Sequence, residues 1–381
     1  MEQRRFPGNS HWYHETQTSL PAQRSALVPE AADITDRFLL GLTQQAEGEL
    51  KTIVQRAQPL HLASRDLYQL LFPSQLSTSL THTLTLYDRI STALTVAQVT
   101  GIQRLCNHYA ARLNPLPGPD SSRESNRRLT QITEYARQLA GQPTLIDSAA
   151  LQRLDEVGLT APDIITFSQI IGFVSYQARV VAGIHALMAL PVRWMPGVSV
   201  PPDAALLPSG AWQPALTPLE PRYAAADQLE ALTFCLPLIK PESFVWLLAQ
   251  DGDVLNGWGH LLSALEKQHA SDDTALAAAV TARINGSSIC FAHYPAGELR
   301  DALWENVDQA LNIAPERQKA IILLAAQLTR VPERFSAAHL QPLREAGLST
   351  AGIFDVILSV AAAAWSNRLM QSLGTVSVEN H

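Results

Sequence analysis

Residues 283–294 read Arg-Ile-Asn-Gly-Ser-Ser-Ile-Cys-Phe-Ala-His-Tyr, and the fold follows from how this stretch breaks. The Ala-rich run before it, 275–282, favours helix. Asn285 and Gly286 tolerate the left-handed turn that closes a helix, and Ser287 and Ser288 suit the cap of the next one. Cys290 then falls in a first helical turn, where the positive end of the helix dipole favours a thiolate. His293 at i+3 and Ser287 at i−3 share its face. A thiol, an imidazole and a hydroxyl line one stripe.

The same punctuation occurs earlier in the chain. Gly101, His108, Tyr109 and Ala111 match Gly286, His293, Tyr294 and Ala296 at an offset of 185 (293 − 108). Downstream, Leu151, Leu154, Gly158, Leu159, Ile164 and Arg179 match Leu340, Leu343, Gly347, Leu348, Ile353 and Arg368 at an offset of 189 (368 − 179). Thr160 corresponds to Ser349, and Tyr176 to Trp365. Two copies of one helical unit explain this pattern better than chance. Between the copies, residues 191–221 hold eight prolines, too many for a helix, and read as a semi-rigid surface linker.

Elsewhere the apolar spacing is helical. Phe38, Leu39 and Leu42 show it, as do Leu67, Leu70 and Leu71 before a break at Pro73 and Ser74. Helical spacing resumes over 84–99, 129–139 and 148–157, and Thr160 opens a helix reaching about residue 190. Residues 114–126 read as a loop, and Asp251-Gly252-Asp253 as a turn. The expected organisation is a polar tail (1–30), a first helical domain (31–190), a linker (191–222) and a second helical domain (223–381).

Composition bounds the function. The 381 residues are 46% hydrophobic, enough for a sizeable core. Only 17% are charged and the net charge is −7, so no basic face is implied and nucleic acid is not an expected partner. No apolar segment follows Arg4 and Arg5, so no secretory signal is read. The longest apolar run, 353–365, contains Asp355 and reads as a buried helix rather than a membrane span. Cys106, Cys235 and Cys290 are too scattered for a disulfide framework, which fits a reduced, cytoplasmic setting. Cys235 reads as core. His11 and His14 lack a second ligand pair, so no metal is expected. No nucleotide-binding glycine motif or serine-hydrolase elbow is present, and no cofactor is implied.

The stretch around Cys290 resembles the carboxymuconolactone decarboxylase and alkylhydroperoxidase D (AhpD) family, whose helix start carries Asn-x-Cys-x-x-Cys followed by His. Asn285, Cys290 and His293 match the asparagine, second cysteine and histidine. Ser287 stands in place of the first cysteine, and the family's upstream glutamate falls near Ala275. Gly347-Leu348-Ser349, the long apolar helix after it and Asn367-Arg368-Leu369 resemble the family's closing helix. Over residues 60–190 and 225–375 the resemblance implies an all-α fold, a tandem duplication of an AhpD-like helical domain, acting as a homo-oligomer.

It also implies a peroxidase-related oxidoreductase acting on a small-molecule substrate. Cys290 is then the thiol, His293 its base and Ser287 a hydrogen-bond partner. The residues also admit other readings. Cys290 is equally a small buried thiol, and with Ser287 no local disulfide forms. His293, echoed by His108, is a general base in non-redox decarboxylase-like chemistry, or a structural histidine. Tyr109, Tyr294, Asn285 and His108 complete the candidate set. A non-catalytic helical binding or assembly protein is the third class. Arg179 and Arg368, near the ends of apolar helices, read as cations that favour the helix dipole.

Overall fold

In a computed structural model, residues 34–194, 197, 199–207 and 210–377 are described; the His11–Glu15 cluster lies outside them. The chain is all-α. Helices α1 (Leu42–Gln45), α2 (Gly48–Arg56) and α3 (Gln58–Leu71) lead into α4 (Leu86–Thr100), α5 (Gln103–Leu113), α6 (Arg123–Gly141), α7 (Ser148–Asp155) and α8 (Ala161–Leu187). The second half runs α9 (Ala226–Cys235), α10 (Glu242–Leu248), α11 (Gly252–His269), α12 (Asp272–Asn285) and α13 (Ser288–Phe291). It continues with α14 (Glu298–Glu305), α15 (Val307–Ile313), α16 (Glu316–Arg330), α17 (Gln341–Glu345) and α18 (Thr350–Ser372).

The punctuation marks act as read. Gly101 and Gly286 close α4 and α12 with φ of 69° and 77°. Gly158 and Gly347 adopt φ of 85° and 83° just before the residues that cap α8 and α18. Thr160 Oγ1 accepts from Asp163 N–H, and Ser349 Oγ from Gly352 N–H, satisfying backbone donors that a helix start leaves free. Short 3-10 turns, Pro143–Leu145 and Pro332–Arg334, follow α6 and α16 in turn.

α8 and α18 are the central pair. Both are long and apolar enough to cross a membrane by length and composition, but 89% and 78% of their apolar windows are buried inside the fold. A helix apolar all round has to be packed on every side. They approach closely because Gly172 has no side chain: a Cβ there would stand 2.0 Å from Trp365 Cδ1. Tyr176 and Trp365, corresponding residues of the sequence repeat, pack with ring centroids 5.8 Å apart.

The contacts between halves are reciprocal. Arg179 donates to Thr329 O at 2.7 Å, and Arg368 donates to Ala140 O at 2.5 Å. Each also bonds the carbonyl one turn back, Ser175 O and Ala364 O. Gly101 faces Glu333 as Gly286 faces Thr144. The arginines and their carbonyl partners are related by the offset of 189, as are Thr144 and Glu333, while the two glycines keep the offset of 185. These arginines are 2% and 1% exposed, so their role is to bind carbonyls of the other half, not to sit at helix ends as dipole partners.

Residues 191–221 are more than a spacer. Strand β1 (Ala211–Pro214) pairs antiparallel with β2 (Gly374–Ser377), and Trp212 donates its indole N–H to Met370 O at 3.0 Å. Asp203 pairs with Arg330 at 2.5 Å. Two smaller expectations also shift. Helix α6 starts inside the expected 114–126 loop, capped by Ser122. Asp251 is not a turn residue alone: it caps α11 and accepts from Thr166 Oγ1 at 2.5 Å.

Candidate functional site

The Cys290 stretch folds as a tight corner. A Cβ on Gly286 would meet Thr144 Cγ2 at 2.6 Å and Ala204 Cβ at 2.7 Å, so glycine is required by space as well as by φ. Gln371 donates its side-chain amide to Gly286 O, which ties the corner to α18. Helix α13 is only four residues long, and Ser287 at its N-cap position makes no capping bond. Pro295 supplies no N–H to continue the helix.

The expected stripe therefore does not assemble. His293 lies beyond the end of α13 and is exposed; its backbone N–H, at 3.3 Å from Cys290 O, makes the hydrogen bond between the two residues. Cys290 is half-buried, and desolvation pushes its thiol up to about 11. The Ser287 hydroxyl, 2% exposed, opposes that rise but stands outside hydrogen-bonding geometry with any group. A one-turn helix has too small a dipole to offset burial. The expected low-pKa thiolate is thus corrected to a protonated thiol at neutral pH. Asn285 is buried with its Nδ2 unpaired. Tyr294 is half-buried, and desolvation, then Asp272, raises its pKa.

The corresponding residues of the first half do assemble a site. Ala110 stands where Pro295 does, and α5 runs on for 11 residues. His108 is fully buried, and its Nε2 lies 2.8 Å from Tyr68 Oη on α3. Arg112, one turn after His108, donates Nη1–H to the same oxygen at 2.5 Å, with its guanidinium 5.5 Å from the Tyr68 ring centroid. Arg112 takes one lone pair of that oxygen as a donor; in the His108 tautomer with Nε2 unprotonated, the Tyr68 hydroxyl donates to it. Desolvation raises the Tyr68 pKa, while Arg112 and then Arg37 draw it down.

Tyr109 holds the neighbouring wall. Its hydroxyl donates to Gln177 Oε1 at 2.6 Å, and Gln177 Nε2 donates to Phe38 O at 2.7 Å and Arg37 O at 3.0 Å. This braces the segment before α1 against α8. Between that segment and α3 lies a cleft of about 590 Å³ with Phe38, Tyr68 and Phe72 as its floor. Its size suits a small-molecule ligand.

Sequence reasoning singled out His108 and Tyr109 but missed Tyr68, Arg112 and the cleft. The i+4 spacing of His108 and Arg112 was the one local signal; Tyr68 is 40 residues away. Cys235 is buried as expected, and its thiol is pushed up to about 11. Cys106 is half-buried. Among the described residues, no group of three or more His, Cys, Asp or Glu is placed to hold a metal. In comparisons with known proteins, no family model matches the sequence and no curated protein is significantly similar to it.

Proposed function

We propose that the protein is a duplicated helical scaffold of the AhpD type that handles the proton of a small carbonyl acid at Tyr68, rather than a peroxide at Cys290. The observation that carries this reading is the hydroxyl of Tyr68, a residue that lines the cleft, held between His108 Nε2 and Arg112. The matching glycine corners, 3-10 turns and long closing helices and the reciprocal contacts between halves support the duplication, although α14 and α15 have no counterparts in the first half.

The chemistry follows from the donors. The Tyr68 proton passes to His108 Nε2, giving a phenolate that Arg112 stabilises by charge. The phenolate oxygen takes the proton next to the substrate carbonyl, leaving an enolate. Tyr68 exchanges that proton with solvent and returns one to the enolate carbon, and His108 then gives its own back to the phenolate.

The test is proton exchange in D₂O, followed by proton NMR with a panel of 2-oxo and 3-oxo carboxylic acids. The full chain should speed loss of the α-proton signal. Tyr68→Phe should slow that exchange by about 100-fold or more, within the range of general acid–base catalysis, while costing about 1–3 kcal/mol of stability through the partners it leaves unbonded. His108→Gln should flatten its pH dependence. Exchange left intact by Tyr68→Phe would sink the proposal.

A further inference from the structure

The geometry points to a small organic anion with a flat, unsaturated body as the ligand of this cleft, an assignment that rests on reading the cleft as the working site. Two features of the lining carry it, its charge and its apolar base, of which only Tyr68 also belongs to the proton relay. The first is charge. Arg37 and Arg65 stand on the rim, both exposed, and none of the ten lining residues is acidic. Among the described residues no ion pair engages either guanidinium. The carboxylate beside Arg37 is occupied elsewhere: Asp36 accepts from Leu39 N–H at 3.2 Å and Thr43 Oγ1 at 3.0 Å. Guanidinium groups are planar forks that match a carboxylate in two parallel hydrogen bonds.

The second feature is the floor. Phe38, Tyr68 and Phe72 are each 2% exposed or less, and the Tyr68 and Phe72 rings lie 5.1 Å apart. With the Tyr68 and Phe72 rings tilted 55° to one another and almost wholly covered, they form a rigid apolar base rather than an open platform, against which a rigid, flat body loses little freedom on binding. The cleft thus offers cationic groups at its rim and an apolar surface at its base. A ligand with both characters uses both; a neutral ring or a bare carboxylate uses one.

The experiment is isothermal titration of the full chain with benzoate, benzamide and acetate. Benzoate should bind roughly tenfold or more tightly than either of the others, the scale of one charge-assisted hydrogen bond. Arg37→Gln combined with Arg65→Gln should bring benzoate down to the benzamide level and leave benzamide unchanged. Both positions are exposed, so the variant should keep the wild-type melting temperature. Benzamide binding as tightly as benzoate, or benzoate indifferent to both substitutions, overturns the anion assignment while leaving the cleft as a site. Acetate binding as tightly as benzoate overturns the flat body. If neither benzoate nor benzamide binds, the anion assignment falls together with the cleft reading.

Discussion

Cys290 shows how a single side chain is decided by what surrounds it. Its place after a glycine corner favours a reactive thiolate, and its burial opposes one; burial wins, with the thiol pushed up to about 11. At pH 7 the thiolate fraction is then on the order of one part in ten thousand, against a few per cent for a free cysteine. Alkylation by iodoacetamide, followed at Cys290 by peptide mass spectrometry, should be far slower than for free cysteine at pH 7. It should still be climbing above pH 9. A rate that levels off below pH 8 would return Cys290 to the nucleophile's role, with His293 and Ser287 beside it. His108 and His293 make the complementary point. One imidazole is buried on a phenol and the other is in solvent, because Ala110 lets a helix continue and Pro295 stops it.

At the scale of elements, α8 and α18 set the fold, and Gly172 sets their spacing. Gly172→Ala should destabilise the protein by about 3 kcal/mol, since Trp365 is walled in by Phe173, Tyr176 and Trp258 and has nowhere to move. Gly352→Ala is the control. It lies in the same helix as Trp365, but its added Cβ would meet only Ser349 Oγ at 3.5 Å. That change should be neutral or stabilising by up to about 1 kcal/mol, because alanine favours helix. Urea unfolding measures both, and equal effects would show that the close approach is not what holds the helices. Much at this scale was legible in the sequence because it is local. Gly101, Gly158, Gly286 and Gly347 mark turns through their own backbone needs, and Thr160 and Ser349 cap through neighbours three residues on. The pairing of β1 with β2 and the bond from Tyr68 to His108 join distant residues, and no periodicity encodes them. Arg179 and Arg368 were read as helix-end cations for the same reason: their carbonyl partners lie 150 and 228 residues away.

Over the whole molecule, the two halves bind each other through reciprocal bonds, Arg179 to Thr329 O and Arg368 to Ala140 O. The apolar core that includes Phe173, Tyr176, Trp258 and Trp365 draws on both halves, so neither half can lose its structure without exposing the other. One buried group tests that coupling by pH. His61 on α3 belongs to the first half, with Phe354 of α18 at 6.4 Å between ring centroids. Around it stand Asp36 and Arg65 of the first half and His269 of the second, and His269 Nδ1 in turn is 2.6 Å from Asp355 Oδ1. Burial is the largest influence on His61 and pushes its pKa down to about 4; Asp36 pulls the other way. In the unfolded chain the same imidazole titrates near 6.5, so the unfolded state binds the proton more tightly. The stability that comes from keeping His61 neutral is therefore complete above pH 6.5. It is lost progressively as pH falls to about 4, by roughly 3 kcal/mol in all. Calorimetry across that window should show one transition moving to lower temperature, because the histidine sits where the halves meet. His61→Leu should reduce that slope by about one proton's worth. Two separating transitions would show that the halves melt independently, and an unchanged slope in His61→Leu would place the acid-sensitive group elsewhere.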